Sequence, residues 1–189
     1  RKEESMRRSF FIILFLLVCY PLNVLANVTG GWTNIHTNIY STITDLWGTS
    51  SNNIYGLGGV SSGTIVKYNG SSWSTQATKD NLLTDLFGFS ASSIYAVGYG
   101  SRVTHSTGNG VWTDRIDHPF YGSAKLLYGV WGTSDSDLFV VGNFEGGVMH
   151  YNGSSWTVAP VSEVPEELHE IWGSASNNVF ALGLGGRIY

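Results

Sequence analysis

The chain has 189 residues, of which 42% are hydrophobic, 14% aromatic and 13% charged, with a formal net charge of -4. So few charges beside so many aromatics exclude a disordered polypeptide, and the acidic balance excludes a coat for phosphate backbones, which needs clustered Lys and Arg. The 24 glycines follow no three-residue period, which excludes collagen and favours short strands joined by many turns.

Arg7 and Arg8 precede an apolar run from Phe10 to Val18, and Val24-Leu25-Ala26 offers small residues for cleavage. That order predicts a secretory signal peptide over residues 1–26 and a mature domain over 27–189, placed in the periplasm, at the cell surface or outside the cell. An uncleaved anchor is the alternative, but Pro21 and Asn23 interrupt a run already short for a bilayer, so no stable membrane span is expected after processing. The segment carries more basic than acidic residues, and its removal leaves a net charge of -6. Cys19 is the single cysteine and leaves with the segment, so the mature chain is expected to hold together by its core without disulfides. Acylation of Cys19 as a lipoprotein is disfavoured by the bulk of Val18 before it.

A repeat then runs to the end of the chain. An aromatic followed by glycine recurs at Trp47, Phe87, Trp131 and Trp172, spaced 40, 44 and 41 residues apart. A second tryptophan recurs at Trp32, Trp73, Trp112 and Trp156, so all 7 tryptophans fall on these two marks. Between them the units align without gaps: LWGTSSNNIYGLG from Leu46, LFGFSASSIYAVG from Leu86, VWGTSDSDLFVVG from Val130 and IWGSASNNVFALG from Ile171. Each unit reads as a four-stranded antiparallel meander, A to D, with the aromatic-glycine pair on A and the second tryptophan opening D. The B strand is apolar at successive positions, as in Leu138-Phe139-Val140-Val141, so both of its faces need cover.

A sheet of about forty residues that cannot bury its own faces is the unit of a β-propeller. From Gly30 to Tyr189 the chain resembles bacterial propellers of the Asp-box and YVTN/BNR-like repeat superfamily. It departs from the Asp-box pattern D-x-G-x-x-W by placing Tyr68 and Tyr151 where the aspartate belongs, while keeping Gly70 with Trp73 and Gly153 with Trp156. The G-H and W-D pairs of WD repeats are absent. The expected fold is all-β, a partial ring of about four blades. Counting from Trp32, the last unit stops within strand C at Tyr189, which reads as the N-terminal part of a larger ring; the alternative is a four-bladed ring completed by the Trp32 strand.

Residues that recur once per blade are expected to pack between blades, which gives the tryptophans a core role and His105 with His150, at matching strand C positions, a structural one. Asn69-Gly70 and Asn152-Gly153 read as turn formers before they read as glycosylation sequons, and the same holds for Asn27. Asp135 and Asp137 occupy the A to B turn, where two carboxylates fall short of a calcium shell; no metal or cofactor is expected. The 5 histidines show no ligand spacing, and no Ser-His-Asp, zinc or P-loop pattern supplies catalytic residues.

Loop lengths differ by face. The A to B and C to D connections are nearly constant, whereas the D to A connections vary, measuring 15, 14, 19 and 16 residues from the second tryptophan to the next aromatic-glycine pair. Because connections alternate ends in a meander, D to A and B to C share the variable face, and binding is assigned there. Candidate ligand-binding residues are Asp114, Asp117, His118 and Tyr121 in the longest loop, and Glu163, Glu166, Glu167 and His169 in the next. Asp45, Asp85 and Glu170 each stand two residues before the A-strand aromatic and are candidates for an acidic channel mouth; the third unit has Gly129 there. The expected function is a secreted module that binds a glycan, peptide or protein through this face, and catalysis is not required for it. A sialidase-like hydrolase is the rival, weakened by having only Arg102, Arg115 and Arg187 in the mature chain, and a structural spacer is the third reading.

Overall fold

A computed structural model describes residues 42–160 and 167–189. The signal-peptide expectation, the Trp32 strand and the candidates Glu163 and Glu166 lie outside these residues. Fourteen strands follow in chain order. The first sheet holds β1 (Ile43–Ser50), β2 (Asn53–Gly58), β3 (Gly63–Tyr68) and β4 (Trp73–Lys79), and the second holds β5 (Leu83–Ser90), β6 (Ser93–Gly98), β7 (Arg102–Ser106) and β8 (Thr113–Asp114). The third holds β9 (Leu127–Ser134), β10 (Asp137–Gly142), β11 (Val148–Tyr151) and β12 (Trp156–Val158), and the fourth pairs β13 (Leu168–Ala175) with β14 (Asn178–Gly183). Every pairing is antiparallel between sequence neighbours, so the first three sheets are the expected A to D meanders and the fourth shows strands A and B, with Leu182 bridging Ile188 beside them. We refer to the sheets as blades I to IV.

The A strands succeed one another, β1 packing on β5, β5 on β9 and β9 on β13, which fans the blades into the arc of a β-propeller. Apolar residues therefore concentrate in three slabs between blades. Tyr55, Leu57 and Ile65 of blade I meet Leu83, Leu86 and Ile94 of blade II. Tyr95, Val97 and Val103 of blade II meet Val130, Leu138 and Val140 of blade III, and Trp131 with Val141 meets Leu168, Ile171 and Ala181 of blade IV. This explains the uninterrupted apolar B strands: β6, covered on both sides, is buried at every residue, whereas in β14 only Ala181 is buried.

The repeated aromatic-glycine pair has a specific contact behind it. A Cβ on Gly88 would lie 2.5 Å from the Trp47 ring of the preceding blade, and one on Gly173 would lie 2.6 Å from the Trp131 ring. Gly88 and Gly173 thus each seat the indole of the blade before, while Gly132 lies against Phe89 of blade II at 3.0 Å. The strand D tryptophans also pack backwards, Trp112 edge-on against Tyr55 at 6.2 Å and Trp156 against His118 at 5.8 Å.

The C to D turn is held by an asparagine and the tyrosine before it. Asn69 Oδ1 accepts the N–H groups of Ser71 and Ser72, both at 2.9 Å, while Tyr68 donates its hydroxyl to the Gly70 carbonyl at 2.9 Å. Asn152, Ser154, Ser155 and Tyr151 repeat the same bonds. Gly70 and Gly153 sit at φ 96° and 90°, a conformation that favours glycine. In the A to B turn, Asn53 donates to Thr49 and Asn178 to Ser174 four residues back, and at the matching positions of blade III Thr133 donates to Asp137.

Candidate functional site

The face carrying the B to C and D to A connections holds two adjoining hollows. One, of about 350 Å³, is lined by Asn81, Gly100, Arg102 and the segment Tyr121 to Ala124. The other, of about 270 Å³, is lined by Thr44, Gly58, Gly59, Leu82 to Thr84 and Tyr99. The Tyr99-Gly100 turn of blade II divides them. Tyr99 and Tyr121 remain 45% and 49% exposed, one at each hollow, which gives the face two aromatic rings with free polar tips.

The long loop that ends at β9 is folded, and its folding holds the first hollow in shape. Tyr99 bridges Leu126, the Ser101 N–H donates to the Lys125 carbonyl at 2.9 Å, and the Ser101 and Ser123 hydroxyls lie 2.7 Å apart. Asp114 accepts from Lys79 of blade I at 2.9 Å and from Arg102 of blade II. Burial pushes its carboxyl up, but the Lys79 hydrogen bond and the Lys79 and Arg102 charges outweigh this and hold it below the usual range. Asp117 binds Arg115 through both oxygens, at 3.0 and 2.6 Å, and this bond holds its carboxyl low too. The Arg115 guanidinium lies over the Tyr151 ring at 4.4 Å, clamping the loop onto blade III.

These contacts separate the sequence candidates. Asp114 and Asp117 hold the loop in place. His118 is only 4% exposed, wedged against Tyr121 and Trp156, and burial lowers its pKa; it packs the interior. Tyr121 stays at the surface and lines the hollow. His169 pairs with Glu167 at 3.1 Å and lies tilted against Tyr128 at 4.6 Å, a contact between blades III and IV. Tyr99, Asn81 and Arg102 were not singled out by sequence as site residues. The available signal was position 99 itself, where an aromatic follows the glycine that ends strand B while blades I, III and IV carry Gly59, Asn143 and Leu184.

Asp45 and Asp85 sit on the innermost strands as inter-blade staples. Asp45 accepts its own Leu46 N–H and that of Leu86 in blade II, each at 2.8 Å. Asp85 repeats this with Leu86 at 2.8 Å and Val130 of blade III at 2.7 Å. Glu170 accepts its own Ile171 N–H at 3.2 Å. Burial, with the charges of Asp45 and Glu170, pushes the Asp85 carboxyl up to about 7, and burial raises Asp45 and Glu170 as well.

The turn aspartates are likewise engaged. Asp135 accepts from Tyr95 of blade II at 3.0 Å and from Ser93, and Asp137 lies 2.7 Å from His150 Nε2. Among the described residues no group of three or more His, Cys, Asp or Glu is placed to hold a metal ion, and no helix is long and apolar enough to cross a membrane.

No family model and no curated protein matches the chain. Solved structures do. YCF48 bound to D1 peptide superposes with a TM-score of 0.61 at 13% identity, over 77% of this chain and 49% of that one. YCF48 from Cyanidioschyzon merolae gives 0.60 at 14% identity, over 78% and 49%. The outer coat vertex of COPII on membranes gives 0.58 at 12% identity, over 76% and 44%. The chain thus spans about half the length of these structures, and at such low identity the likeness concerns architecture: the fold is all-β, a β-propeller, present as a partial ring.

Proposed function

We propose that the chain is an exported β-propeller module that binds an extended peptide or protein segment across the two hollows, with Tyr99 and Tyr121 as its anchors. The observation that carries this reading is the pair of half-exposed tyrosines at adjoining depressions on a face whose loop is already fixed by internal bonds. Aromatic rings with polar tips supply contact area at low entropic cost, and a pre-ordered loop lowers the cost of binding. Asn81 and Arg102 add polar groups suited to a peptide backbone or side chain. The peptide-bound neighbour of the same fold supports a peptide over a glycan. The Asx-type C to D turns support kinship with the Asp-box repeat group, and the apolar N-terminal segment supports export.

Screening the purified chain against peptide and glycan arrays tests the reading, followed by titration of hits with Tyr99→Ala and Tyr121→Ala. Each substitution is expected to weaken a peptide hit at least tenfold while leaving the fold unchanged by circular dichroism. Hits confined to glycans, or peptide hits indifferent to both substitutions, would count against it. Recovery of the full-length chain in the cytosolic fraction, with residues 1–26 intact, would remove the export element.

A further inference from the structure

An asparagine followed by glycine is open to attack on its side chain by the next backbone nitrogen, because glycine has no Cβ to hold that nitrogen away from the carboxamide. The chain contains three such pairs, Asn69-Gly70, Asn109-Gly110 and Asn152-Gly153, one in the C to D connection of each of blades I to III. All three asparagines are exposed, and the glycine after each has a positive φ, 96°, 85° and 90° in chain order. By sequence they rank as equals.

The structure separates them. Asn69 is braced on every side: its Oδ1 accepts two backbone N–H groups, its own N–H donates to the Ser72 carbonyl at 3.2 Å, and the Tyr68 hydroxyl holds the Gly70 carbonyl. Asn152 repeats each of these bonds with Ser154, Ser155 and Tyr151. In blade II the pair is displaced by one residue toward the strand D tryptophan, so Thr107 stands in the place of the tyrosine and Gly108 in the place of the asparagine. Among the described residues Asn109 Oδ1 accepts a single N–H, that of Val111 at 2.9 Å. The strand that follows is also the weakest of its kind. β4 and β12 begin at their tryptophans, whereas β8 begins after Trp112 and pairs only Thr113 and Asp114 with β7. Fewer bonds have to break for the chain to open locally at 109 than at 69 or 152.

We propose that Asn109 is the site at which the folded chain deamidates and isomerises. The Gly110 nitrogen attacks the Asn109 carboxamide carbon and gives up its proton, the side-chain nitrogen leaves as ammonia, and a cyclic imide closes. Water then opens the imide at either carbonyl. One opening yields aspartate; the other yields isoaspartate, in which the main chain runs through the former side chain and is longer by a methylene. That added length falls just before Trp112, which is buried edge-on against Tyr55 of blade I at 6.2 Å and whose carbonyl accepts from Lys79 at 3.0 Å. Isoaspartate at 109 therefore loosens the junction of blades I and II.

Peptide mapping by mass spectrometry, with fragmentation that tells isoaspartate from aspartate, provides the test on the full chain aged at mildly alkaline pH, folded and in denaturant. In the folded chain, product at 109 is expected to accumulate about fivefold faster than at 69 or 152, and in denaturant the three rates are expected to converge. Chains isolated with isoaspartate at 109 are expected to exchange the amides of β8 faster than chains with aspartate there, read by hydrogen-exchange mass spectrometry. Equal rates at the three sites in the folded chain, or a faster rate at 69 or 152, would overturn the proposal. So would a ranking that persists in denaturant, which would place its cause in the neighbouring sequence and not in the fold, and so would exchange at β8 that is the same in both products.

Discussion

The carboxylates of the inner strands combine two opposing effects. Each backbone N–H they accept favours the charged form, but burial and mutual repulsion disfavour it, and for Asp85 the second effect prevails. A carboxyl raised in the folded state binds more protons folded than unfolded, so its contribution to stability falls as pH rises from about 4 to about 7. Chemical denaturation is expected to show a loss on the order of 1–3 kcal/mol across that window. Asp85→Asn, which cannot titrate, is expected to remove this loss; an unsubstituted chain that gains stability relative to Asp85→Asn as pH rises would show that the Val130 hydrogen bond dominates, a difference in which the opposite trend from buried His118 cancels. The facing charges are those of Asp45 and Glu170, both raised in the same direction. At the turns, Asn69→Ala removes the acceptor of two backbone N–H groups. It is expected to lower the melting temperature by about 2–4 °C, corresponding to about 1 kcal/mol.

Strands in this fold are specified by what the next blade requires of them. Gly88 and Gly173 on the A strands are positions where a neighbouring indole needs the space of a side chain. Gly88→Ala is therefore expected to cost about 1–3 kcal/mol, read from a denaturant midpoint, because its Cβ would meet the Trp47 ring and not a flexible chain end. Trp131→Ala, which empties the opposite half of the same kind of contact, is expected to cost about 3–5 kcal/mol. The tryptophan spacing assigned Trp47, Trp112, Trp131 and Trp156 to packing between blades, whereas Trp73 lies against Tyr68 of its own blade, Trp172 is 54% exposed and Trp32 lies outside the described residues. The same regularity explains His105 and His150, which lie on the rings of Tyr95 and Phe139 at 4.5 and 4.0 Å.

At the scale of the whole molecule, stability passes from blade to neighbouring blade, since each slab of core belongs to two sheets. Protection of amides against exchange should follow cover. The amides of β6, enclosed on both sides, are expected to exchange more slowly than those of β14 under native conditions, as hydrogen-exchange mass spectrometry can measure. Equal protection of the two strands would show that the outer face of blade IV is covered in solution. The loop face is a product of the same assembly, because the first hollow combines blade II with the loop that leads to blade III. Replacing residues 115–124 with a short turn is therefore expected to destabilise the contact between blades II and III, owing to the Arg115 clamp on Tyr151, and to remove Tyr121 from the proposed binding face.

The sequence by itself determined the blade, its four strands, the order of the turns and the face on which the loops vary. Those features follow from short-range spacing, in which an apolar run needing cover on two sides and turn residues at fixed intervals admit few solutions. Only the tertiary structure decided which loop residues face outward. Asp114 and His118 look like ligand contacts in a polar loop, but their partners Lys79, Arg102 and Trp156 stand elsewhere in the chain and claim them, while Asp117 is taken by Arg115 two residues before it. Tyr99 joined Tyr121 as a candidate for the converse reason: two residues in different connections came to line hollows on the same face when the blades came together. Composition and spacing describe what each segment needs, and the packing of distant segments settles which of those needs is met inside the protein.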